Sequence, residues 1–167
     1  RIMWTLPNRY DDFCILRSKE VFSIDGGIIK NLVTVGNLLY VIKDMNAYAL
    51  DMSKNFSVVQ QFVGFGSPFD SECYAKTPIG LVIANEQGIY QLPNMEELSY
   101  PIRDTWQGIG SDLLNPVVGY HPERNEIIVL SNSQSTDSGN AKTFIYNITN
   151  KSWKTENILY VGATNTD

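Results

Sequence analysis

The sequence predicts an all-β protein made of antiparallel four-stranded blades of a β-propeller, about three blades plus part of a preceding one. Three observations lead there. One is an internal repeat with a step of propeller-blade length. Another is composition: 43% hydrophobic and only 19% charged residues, with 9 Tyr and 7 Phe beside abundant Val and Ile. Those side chains suit a pleated, half-buried surface. The third is turn chemistry between the apolar runs: Gly36-Asn37, Asp44-Met45-Asn46, Asn85-Glu-Gln-Gly88 and His121-Pro-Glu-Arg-Asn125.

The repeat has three units. In the first, strands are expected over Asn31–Val35, Leu38–Lys43, Ala47–Leu50 and Phe56–Val63. The second unit reads Glu72–Lys76, Gly80–Ala84, Ile89–Leu92 and Met95–Tyr100. The third reads Pro116–Tyr120, Glu126–Leu130, Thr143–Ile148 and Ser152–Leu159. Leu38, Gly80 and Glu126 open the second strand of each unit, giving steps of 42 and 46 residues. Each second strand is a short, nearly continuous apolar run, as a strand covered on both faces should be. Each third strand carries a Tyr flanked by aliphatic residues, at Tyr48, Tyr90 and Tyr146. Equivalent tyrosines are expected to fill a similar slot between neighbouring sheets.

The blades are accordingly placed at 31–66, 71–101 and 116–160, all within one partial propeller domain over 1–167. Residues 1–30 read as the end of a preceding blade, with strands over Arg1–Leu6 and Glu20–Ile24. A helical insert is expected over 102–115, where Trp106 follows Ile102 by four; Gly108 and Gly110 limit it to one or two turns. Three blades and a part cannot close a ring, because a propeller typically has at least four. The opening Arg1-Ile2-Met3-Trp4 has neither an initiating Met nor a signal-peptide plan, and reads as the middle of a longer chain.

Composition also excludes. A net charge of −5 argues against a surface that grips phosphates. It suits a wall past which DNA slides, since like charges do not hold the polymer. No run of eighteen apolar residues is present, so no membrane span is expected. Cys14 and Cys73 lie far apart and are expected as free, buried thiols.

No motif reads as a catalytic, cofactor or metal site, so neither enzyme activity nor a cofactor is expected. His121 is the only histidine, and Pro122 and Asn125 place it in a tight turn. Asp11-Asp12, Glu96-Glu97 and the pair Asp70 and Glu72 read as solvated loop ends, and no Asp/Asn ladder closes on a Glu as a calcium loop would. Ser135-Thr-Asp137-Ser-Gly139 is a near miss to the Asp-box turn of sialidase-type propellers and reads as a long, exposed, mobile hairpin tip. Val63-Gly-Phe-Gly-Ser67 lacks the Lys and the helix of a phosphate cradle. The sequons at Asn55 and Asn147 matter only in a eukaryotic secretory context, and Asn147 falls inside an expected strand.

Taken in order, LLYVIKDMNAYAL, GIYQL, LSYPIRDTW, VVGYHPERNEIIVL and KTFIYNITNKSW resemble a β-propeller family of short-tailed bacteriophages. That family comprises tail nozzle, muzzle and packaged-DNA stabilisation proteins. RIMWTLPNRYDDF is similar to its opening R-I-x-W-S-x-P-x-x-x-D-x-F, so the resemblance covers nearly the whole chain. It implies a virion structural protein, a tail nozzle or muzzle or a head-to-tail completion ring. It also implies synthesis in the bacterial host cytoplasm and a homohexameric ring around the DNA exit channel. Other tail or portal proteins would be its neighbours, and DNA would pass without sequence-specific binding. Two other classes fit the residues. FIYNITNKSW is similar to the closing strands of kelch blades, which suggests a kelch- or WD-like interaction propeller. The Asp-box near miss, with Trp4, Trp106 and Trp153, suggests a glycan-binding or glycan-cleaving propeller.

Overall fold

The computed structural model describes residues 2, 3, 5, 18, 19, 27–69, 72–109, 116–131 and 142–156. Strand β1 (Ile2–Met3) pairs antiparallel with β2 (Ser18–Lys19) in a two-stranded ladder. The rest of the described chain forms three four-stranded antiparallel sheets, each with its strands in chain order. The first contains β3 (Ile29–Val35), β4 (Leu38–Lys43), β5 (Asn46–Asp51) and β6 (Ser57–Val63). The second contains β7 (Tyr74–Thr77), β8 (Gly80–Ala84), β9 (Ile89–Leu92) and β10 (Glu96–Glu97). The third contains β11 (Val117–His121), β12 (Glu126–Leu130), β13 (Thr143–Asn147) and β14 (Ser152–Glu156).

The second strands explain how the sheets stack. Alternate side chains of a strand point to opposite faces, and an all-apolar strand therefore feeds two cores. On β8, Leu81 and Ile83 join Val33, Tyr40, Ile42, Ala47 and Phe62 of the first sheet. Val82 and Ala84 join Val118, Ile127, Val129, Phe144 and Tyr146 of the third sheet. On β4, Leu39 and Val41 face the other way, into a smaller cluster with Tyr48 and Leu50. The second sheet is thus buried on both faces between the other two.

The tyrosines point to the same side of their sheets, opposite the fourth residue of β4 and of β8 and the second residue of β12. Tyr48 lies across from Val41, Tyr90 across from Ile83, and Tyr146 across from Ile127. Tyr90 meets Phe65 edge-on at 4.9 Å, and Tyr146 sits in the core shared with the second sheet. Tyr48 lies on the face of the first sheet that points away from the second. In every sheet, the Tyr therefore faces backwards along the chain.

Connections between sheets are tightly bonded. Gly66 N–H donates to Met45 O (3.0 Å) and Ser67 N–H to Lys43 O (2.9 Å), closing the link 64–69 onto the β4–β5 turn. A Cβ on Gly66 would lie 2.3 Å from Asn46 N and 2.4 Å from Lys43 O, so only glycine fits there. At the opposite side of the stack, Val118 N–H of β11 donates to Glu72 O (2.8 Å), and Trp153 Nε1 of β14 donates to Leu98 O (2.7 Å).

Two expectations shift at the end of the second sheet. The fourth strand, expected over Met95–Tyr100, is only Glu96–Glu97. Met95 adopts a left-handed φ of 56°, while Leu98 N–H (2.8 Å) and Ser99 N–H (3.3 Å) both turn onto Ile89 O. Pro101 has no N–H to extend a ladder, and Tyr100–Ile102 winds into a 3-10 turn. Helix α1 (Arg103–Gln107) follows and ends at Gly108, within the expected insert and no longer than its glycines allow. The strands expected over Arg1–Leu6 and Ser152–Leu159 are seen as β1 and β14. Of these two, positions 1, 4, 6 and 157–159 lie outside the described residues, as do Glu20–Ile24, residues 110–115 and the tip with Ser135–Gly139.

Candidate functional site

Among the described residues, two gatherings of polar side chains bear on a site, and the uses they are put to differ. The first lies where the link 64–69, the turn 85–88 and α1 meet. Asn85 sits at its centre and is buried. Its Oδ1 accepts from Gln87 N–H (2.9 Å) and Gly88 N–H (3.0 Å), and its Nδ2 donates to Gly66 O (3.0 Å). Its carbonyl accepts from Trp106 Nε1 (3.0 Å), and the indole is fully buried, 5.4 Å from Phe144 in an edge-on contact. Ser67 Oγ donates to Ala84 O (3.1 Å) alongside. The Gly-Phe-Gly segment therefore spends its amides on protein: Gly64 N–H donates to Asn46 Oδ1 (3.2 Å), and Gly66 and Ser67 are bonded as above. No row of free N–H groups is left there for a phosphate.

Next to this lies a forked ion pair. Glu97 takes Arg103 Nε (2.9 Å) and Nη2 and the hydroxyl of Ser99 (3.2 Å), while the guanidinium stacks 4.8 Å above the Tyr100 ring. The Arg103 hydrogen bond holds the Glu97 carboxyl below its ordinary value, and the Arg103 guanidinium is raised in turn. Burial, followed by the Glu97 charge, pushes the neighbouring Tyr90 hydroxyl up. A carboxylate held ionised by a fork of N–H donors is a poor general acid. Glu97, read from the sequence as a solvated loop end, is instead a half-buried clasp between β10 and α1; Glu96 is exposed.

The second gathering is a trough of about 240 Å³ on the outward face of the third sheet. Arg124, Glu126, Asn147, Ser152, Lys154 and Glu156 border it, with Ile145 at its floor. Ligand pockets usually enclose about 300–1,000 Å³ and are mainly apolar. This trough is smaller and its charges are mixed, with Lys154 paired to Glu156. Sequence reasoning did not single it out, because only the β12–β13–β14 register brings Glu126, Asn147 and Ser152 into one row.

The remaining sequence candidates fall apart in space. His121 ends β11 opposite Glu126, and the turn after it closes with Asn125 N–H on Pro122 O (3.3 Å). Cys73 is a free, buried thiol, pushed up by burial; Cys14 lies outside the described residues, as do Asp11, Asp12 and Asp70. Glu72 contributes its carbonyl to Val118. Asn55 is exposed with φ 54°, whereas Asn147 closes β13 and accepts from Asn150 N–H (2.9 Å). Of the tryptophans offered for glycans, Trp106 is wholly buried, Trp153 is bonded to Leu98 O, and Trp4 lies outside the described residues.

Among the described residues, no group of three His, Cys, Asp or Glu side chains could hold a metal ion, and no helix is long and apolar enough to cross a membrane. No protein-family model matches the sequence, and no curated protein matches it.

Proposed function

We propose that this chain is a run of β-propeller blades in a bacteriophage virion protein, a tail nozzle, muzzle or head-completion ring around the DNA exit channel. The observation that carries the reading is the directional repeat. Three successive sheets share one strand order, and in each the third strand turns a Tyr to the same side, which in the second and third sheets faces the sheet before it. First strands approach closely enough for a main-chain bond from Val118 to Glu72, as blades converging on an axis do. The phage resemblance of LLYVIKDMNAYAL through KTFIYNITNKSW supplies the biological setting. The spending of the Asn85 and Glu97 clusters on bonds between a turn, an inter-sheet link, β10 and α1 supports a structural part over an enzyme. The net charge of −5 fits a channel wall that lets DNA pass.

Negative-stain electron microscopy of the full-length protein tests the reading. Closed rings with a central channel are expected, about six copies to a ring if the resemblance extends to symmetry. A uniformly monomeric population with no ring-shaped particles would overturn it.

A further inference from the structure

We draw no further inference here: the strongest candidate, the trough bordered by Arg124, Glu126, Asn147 and Ser152 on the outward face of the third sheet, carries none, because these side chains are exposed or half-buried and nothing in the structure shows what covers them.

Discussion

Asn85 shows how much one side chain holds here. Its amide joins a turn, the link to the first sheet and, through its carbonyl, α1. Asn85→Ala strands the N–H groups of Gln87 and Gly88 and the carbonyl of Gly66. Each stranded buried group costs about 1–3 kcal/mol, in part relieved by water, so a loss of about 2–4 kcal/mol is expected. A urea midpoint that falls with an unchanged slope is the measurement; an unmoved midpoint contradicts the role. Glu97 gives a pH signature. Its carboxyl is lowered in the folded chain, first by the Arg103 hydrogen bond. The stability it supplies is therefore present above the ordinary carboxyl value, about pH 4.3, and is lost as pH falls through the lower folded value. Glu97→Gln should melt below the parent at pH 7, and the gap should close towards pH 3. A gap of constant size across that range counts against the clasp. Neither residue stood out in the sequence. Asn85 was legible as a turn residue, but its partners lie 19 and 21 positions away, beyond any local pattern.

Strands are where the sequence speaks most clearly. Leu38–Lys43, Gly80–Ala84 and Glu126–Leu130 were readable to the residue, because an apolar run followed at once by Asp44, Asn85 or Ser131 leaves little choice of boundary. The fourth strand of the second sheet was not. Met95–Tyr100 has the residues of a strand, yet Ile89 O captures the N–H groups of both Leu98 and Ser99 and shortens the ladder. Propensity gave way to a hydrogen bond between residues nine apart. The insert was legible as a brief helix from the Ile102–Trp106 spacing, but its purpose was not. Nothing local says that the Trp106 indole would reach the Asn85 carbonyl and the Phe144 ring.

Across the whole molecule, the first and third sheets meet the second through separate cores. A linear stack of this kind gains stability from each unit and from each junction, as repeat arrays do. Trp106 is fully buried in one junction only. Trp106→Ala, a loss of about 3–5 kcal/mol, should therefore act locally. Hydrogen exchange is expected to quicken in β11–β14 well before β3–β6. Equal quickening in all three sheets would instead mark one indivisible cooperative unit. Sheet order and the two-faced second sheet were legible from the apolar second strands. The trough was not, because only the β12–β13–β14 register brings its side chains together.

The backward-facing tyrosines give the stack a grammar. The second and third sheets each offer a Tyr to the sheet before them, so their two faces are not interchangeable. Such a unit can be duplicated within a gene and remain compatible with its neighbours, because every copy brings both halves of the joint.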